Sequence, residues 1–229
     1  MDMDKNKEAI YHYQKQLDRG IEKLRANKKF LKENKKHIFD FLNYLTALGT
    51  KPVRKLFYLK IIISVGELIN IDFNKAGKQD IEALMRKIYS KGYADWTIKS
   101  YITGIKYFWK WLKKTDDDVY PEEVRWLRFN GQIKNKRETT AKDLFLKEEI
   151  EKLIQNSNTL RDRALLCFLY YSGCRVGELV SMKNESVSFE EDGYVDANIT
   201  GKTGTRTIRI KEPYYLMKSY FELHPLKDI

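Results

Sequence analysis

Breakers are scarce in this 229-residue chain: it has only 4 prolines and 12 glycines. With so few, and with many amphipathic stretches, the sequence favours helix. Cysteine is scarcer still. Cys167 and Cys174 stand alone, with no Cys-x-x-Cys pair and no Cys/His cluster, so they read as buried free thiols of a reducing, cytoplasmic compartment. His12, His37 and His224 are the only histidines. No glycine-rich phosphate loop and no acidic cluster of metal-ligand spacing is present, which gives no support to a nucleotide or metal cofactor. No apolar run approaches the roughly 20 residues that a membrane-crossing helix needs, and Met1 is followed by acidic and polar residues rather than by a secretory apolar core.

What is present is apolar enough to build a core: 42% of residues are hydrophobic, including 15 Tyr, 11 Phe and 4 Trp. The formal charge is +11, and it is unevenly spread. Residues 1–132 hold 27 Lys/Arg against 17 Asp/Glu, whereas residues 133–229 hold 16 against 15. A basic first half suits a polyanionic partner such as nucleic acid, the other reading being a merely solvated surface.

Residues 5–36 are lysine-rich with a thin apolar stripe at Ile10, Leu17, Ile21 and Leu24. Three readings stay open for them: a DNA-contacting arm, a helix docking on a partner subunit, or a solvated lead-in. Four helices follow. The first covers 30–48 and ends at Gly49, the second runs from Pro52 to about Ile69, the third covers 79–90, and the fourth is capped by Asp95. In the fourth, Ile98, Tyr101, Ile102, Ile105, Phe108, Trp109 and Leu112 recur at helical spacing as a core stripe. Lys99, Lys106, Lys110, Lys113 and Lys114 on the same helix are candidates for phosphate contact. Residues 130–143 lack apolar periodicity and read as a basic linker, in which Lys134, Lys136 and Arg137 can track a phosphate backbone. Beyond it come helices at about Lys147–Gln155 and Leu160–Tyr171, and a break at Ser172-Gly173-Cys174. A short helix from Arg175, strands at Tyr194–Thr200 and Thr205–Ile210 around a tight Gly201–Gly204 turn, and a helix at Tyr214–Leu223 complete the reading.

The stretch Leu165 to Leu179, with Ser172-Gly173-Cys174-Arg175-Val176-Gly177-Glu178-Leu179 at its end, resembles the first catalytic box of tyrosine recombinases, the phage integrase family. That box is an apolar helix, a small-residue turn, then Arg, two residues, an acid and Leu. A hairpin bearing Gly201-Lys202 and a basic strand follows at the family's spacing. Upstream, Asp95-Trp96-Thr97-Ile98 opens a helix that ends Phe108-Trp109-Lys110-Trp111-Leu112, similar to the last helices of the family's core-binding domain.

The resemblance implies a mainly α fold: a helical, SAM-like core-binding domain plus a partial α-rich catalytic domain with a small antiparallel sheet. The expected division is a basic helical arm over 1–29, a core-binding domain over 30–129, a linker over 130–143 and a partial catalytic domain over 144–229. It further implies site-specific DNA recombination or integration through a 3′-phosphotyrosyl intermediate, without metal or cofactor. The implied partner is double-stranded DNA, with self-association on it and no membrane. Arg175 would hold the scissile phosphate, because a guanidinium offers planar paired donors and stays charged. Its other reading is a simple ion pair. Lys202 would be the general acid at the departing 5′ oxygen, or else an exposed turn lysine. Glu178 would be an accessory group or one half of an intrahelical pair. Arg206 and Arg209 would bind DNA backbone or balance surface charge.

The family's His-x-x-Arg box and its nucleophilic tyrosine are not visible. His224-Pro225-Leu226-Lys227 is a distant mimic and reads as a helix end, and Tyr214, Tyr215 and Tyr220 come too early. The expectation is therefore a chain that stops before the nucleophile. The alternative is a non-catalytic, sequence-specific DNA-binding or regulatory protein derived from a recombinase.

Overall fold

The computed structural model describes residues 11–115, 119–130, 140–201 and 204–224. The described residues form two compact units, the first within 11–130 and the second within 140–224.

The first unit is helical: α1 (Tyr13–Ala26), α2 (Lys32–Ala47), α3 (Pro52–Ile69), α4 (Lys78–Ser90), α5 (Asp95–Leu112) and the single turn α6 (Glu122–Arg125). Helix α3 is its axis. Pro52 at the first turn has no N–H to leave orphaned. Leu56, Tyr58, Leu59, Ile62, Val65 and Gly66 are buried around more than one side, because α1, α2, α4 and α5 all pack on α3. The neighbours are one-sided, as their spacing requires: Ile38, Phe41, Leu42 and Leu45 on α2, and Ile81, Leu84, Met85 and Ile88 on α4. Phe41 is central, edge-on to Tyr58 and Phe108. Asn34 is buried and satisfied. Its Nδ2 donates to Ile71 O and its Oδ1 accepts from Phe73 N, both at 2.8 Å, which ties the α3–α4 connection to α2.

Two expectations change here. Leu17 and Leu24 of α1 are buried in the same core as the other helices, so residues 13–26 belong to this unit's packing instead of standing apart as an arm. Asp95 does not cap α5. Ala94 holds the N-cap position without a side-chain bond, and Asp95 is the first helical residue, where its charge still complements the helix dipole.

The second unit contains α7 (Lys147–Asn156), α8 (Leu160–Ser172), the single turn α9 (Val176–Leu179), strands β1 (Val187–Phe189), β2 (Val195–Gly201) and β3 (Gly204–Ile210), and α10 (Tyr214–Glu222). Thr159 caps α8 by accepting from Asp162 N. The sheet is antiparallel in the order β1-β2-β3. On β2, Val195, Ala197 and Ile199 alternate inward and share a core with Ala164 and Phe168 of α8, Leu179 of α9 and Met217 of α10. β1 went unforeseen: three residues after a 3-10 turn carry too little period-2 pattern to register as a strand.

Candidate active site and nucleic-acid interface

The apolar helix α8 ends at Gly173, and Arg175 then takes the N-cap position of α9 with extended backbone. Glu178 falls at the third position of that turn, so its carboxylate reaches back to the start: Oε2 accepts from Arg175 N at 3.0 Å. The same carboxylate takes two guanidiniums. Arg175 Nη1 donates to Oε1 at 2.8 Å, and Arg206 Nη2, from β3, donates to Oε2 at 2.9 Å. Glu178 is only 4% exposed, while Arg175 is 71% and Arg206 42% exposed. The buried acid thus carries two outward-facing cations.

This network holds the Glu178 carboxyl at about 2, well below its ordinary value. The bond from Arg206 is the main cause, followed by the Arg175 backbone N–H, and both outweigh the opposing loss of solvent. The Arg206 guanidinium is shifted upward by the same bond. On the other side lies Gly201, the last residue of β2. A Cβ there would overlap Glu178 Oε1, so the close approach of carboxylate to strand requires glycine.

Arg175 and Glu178 therefore come together, and Arg206 joins them across 28 residues of sequence. Lys202 lies outside the described residues. Its neighbours Gly201 and Gly204 pair across β2 and β3, close to Glu178 on the Gly201 side. Arg209 is instead bonded to Asp196 on the facing strand, at 2.8 Å. Both cysteines are buried and free, and burial pushes the Cys167 thiol up. His224 follows α10, with Nδ1 at 3.4 Å from Asn184 Nδ2.

In the first unit, Lys99, Lys106 and Lys110 of α5 and Lys113 at its C-cap line one side of the helix, beside its buried stripe. They are not equivalent. Lys99 is exposed and lies 5.0 Å from the Trp96 ring. Lys106 sits 4.1 Å above the Tyr120 ring and donates to Leu127 O, and burial, then Arg128, lowers its pKa. Lys110 also approaches Tyr120, at 5.9 Å. Lys113 is engaged by Glu123 at 3.2 Å and by Asn74 O at 2.8 Å. Tyr120 was not foreseen, since nothing in sequence links it to lysines 10 and 14 residues upstream. Lys134, Lys136 and Arg137 lie outside the described residues.

Parts of the chain are similar to known proteins. Residues 144–225 match the phage integrase family. The chain is 33% identical over 138 residues to tyrosine recombinase XerA of Pyrococcus furiosus, covering 59% of this chain and 44% of that protein. It is 29% identical over 121 residues to tyrosine recombinase XerC of Staphylococcus carnosus, covering 50% and 38%. Its fold is similar to that of the XerH site-specific recombinase solved with its difH substrate in a pre-cleavage complex, with a TM-score of 0.55, 18% identity, and coverage of 93% of this chain and 70% of that one. The segment 144–225 is thus similar to the phage integrase family, and about half of the chain is similar to tyrosine recombinases. The chain spans less than half the length of the curated relatives it matches.

Among the described residues no group of His, Cys, Asp and Glu is placed to hold a metal, and no helix is long and apolar enough to cross a membrane.

Proposed function

We propose that this chain is the DNA-binding portion and arginine-box portion of an enzyme of site-specific DNA recombination. Double-stranded DNA is its substrate, and copies of it associate on that DNA. The observation that carries the reading is the outward Arg175 held by a buried Glu178 within the segment that matches the integrase family. Attack on a phosphodiester places charge on the non-bridging oxygens. A guanidinium fixed before the reaction stabilises that charge without reorganising. Arg175 takes this role. Lys202, from its place in the sequence between Gly201 and Gly204, donates the proton to the departing 5′ oxygen. Lys99, Lys106 and Lys110 of α5, with Lys134, Lys136 and Arg137, hold the flanking phosphates. Lys113, already engaged by Glu123, contributes less.

The test uses single-turnover cleavage by a cleavage-competent protein that carries this segment. Arg175→Lys keeps the charge but loses the planar fork, so cleavage should fall by at least about a hundredfold, the scale of one lost transition-state donor. DNA binding should barely change, because many cations share it. Lys202→Ala should also be slow on an ordinary duplex. It should recover on a substrate with sulfur at the 5′ bridging position, because a thiolate leaves without a proton. Arg175→Lys should not recover there. Equal rescue of both variants, or of neither, contradicts this division of labour.

A further inference from the structure

A carboxylate and a guanidinium left to themselves favour a two-point fork, two parallel N–H···O bonds. Arg175 and Glu178 do not make that fork. The Arg175 side chain has only Oε1, through the single nitrogen Nη1, because Oε2 already receives Arg206 Nη2 and the Arg175 backbone N–H. Oε1 also lies against Gly201, in the space a Cβ there would fill. The carboxylate is buried, so water does not compete for it as it would at the surface.

We propose that Arg206 is a positioning residue that acts through Glu178. It occupies Oε2, and so prevents Glu178 from drawing the whole Arg175 fork onto itself. The remaining donors of Arg175 stay turned to solvent, where a phosphodiester oxygen can take them. β3 supplies the rigidity, since Arg206 is paired with Ile199 of β2 and its reach is set by the strand register. Remove Arg206 and Oε2 is released. Arg175 then closes onto Glu178 with two bonds, and a phosphate must break one of them before it binds. The inference rests on the reading of Arg175 as a phosphate ligand.

The experiment labels the arginines of the 229-residue chain with 15N and follows the Arg175 Nε–Hε resonance, assigned by its loss in Arg175→Lys. Inorganic phosphate and a short duplex DNA are the probes. In the wild-type chain both should move the resonance saturably. In Arg206→Ala the phosphate midpoint should rise about tenfold, the scale of one charge-assisted hydrogen bond that must be given up. Before any anion is added, the resonance should already sit away from its wild-type position. Arg206→Lys still places a cation on Oε2 and should stay within about threefold of wild type, which keeps the test available if the alanine variant does not fold.

A double-mutant cycle separates action through Glu178 from direct contact with the anion. With Glu178→Gln in place the fork is lost, so adding Arg206→Ala should not weaken phosphate binding further. An Arg206→Ala midpoint equal to wild type overturns the proposal. So does a further loss in the Glu178→Gln background, which would make Arg206 a phosphate ligand in its own right. An Arg175 resonance in the wild-type chain that responds to neither probe removes the phosphate reading itself, and this inference with it.

Discussion

A carboxylate removed from water is costly unless donors replace its hydration, and Glu178 has three. Its folded value of about 2 lies below the ordinary 4.5, so it stabilises the folded form while ionised. That contribution is fully present above the ordinary value and is lost as pH falls from about 4.5 towards 2. Asp143 and Asp162 are also shifted down by hydrogen bonds, so the wild-type acid slope is shared. Glu178→Gln should remove a distinct part of it: the variant is less stable near neutral pH, and the gap to wild type narrows on acidification. Thermal melts stepped through that range check this, and a gap that is constant with pH would contradict it. Gly201→Ala offers a second test at the same place. Its methyl would displace Oε1, so the Arg175 resonance should move even though the cation itself is untouched.

Each helix of the first unit is built on apolar positions three and four residues apart, but the closeness of their packing is set at particular contacts. Gly66 on α3 lies under the ring ends of Phe30 and Phe73, and a Cβ there would overlap Phe30. Phe30 and Phe73 are buried, so neither ring can simply swing into solvent. Gly66→Ala should therefore cost about 1–3 kcal/mol by overpacking, despite alanine's better helix propensity. Phe41→Ala should cost more, about 3–5 kcal/mol, because it empties a fully buried ring site. Urea unfolding reads both, and a stabilised Gly66→Ala would show that α3 has room to shift. The sheet follows the same logic. The alternation on β2 was readable, and its inward Val195, Ala197 and Ile199 are buried as that alternation requires.

For the whole molecule, charge is the most testable property. The excess of 10 positive charges in residues 1–132 should give duplex affinity that falls by orders of magnitude as salt rises, through release of condensed counterions. Replacing Lys106, Lys110 and Lys113 together should weaken binding to all sequences alike. The slope of log affinity against log salt should drop by roughly 1 for each lysine that touches phosphate. The Glu123 contact of Lys113 suggests a drop nearer two than three lysines' worth. Binding that hardly varies with salt would remove the reading of these lysines as phosphate contacts.

The sequence alone determined what repeats locally or follows a fixed spacing. Helical periodicity marked α2 to α5 because one face must leave water, and the resemblance of Leu165 to Leu179 to the first catalytic box of tyrosine recombinases marked Arg175 and Glu178. It did not show that Leu17 and Leu24 of α1 enter the core, since a thin stripe among lysines has no partner until α3 is folded beside it. Nor did it join Arg206 to Glu178, or Tyr120 to Lys106. Those pairings depend on strand register and on chain reversal, which place residues far apart in sequence within hydrogen-bond or ring contact. The tertiary structure therefore decided what the Arg175–Glu178 spacing left open: the buried carboxylate of Glu178 is shared between two arginines.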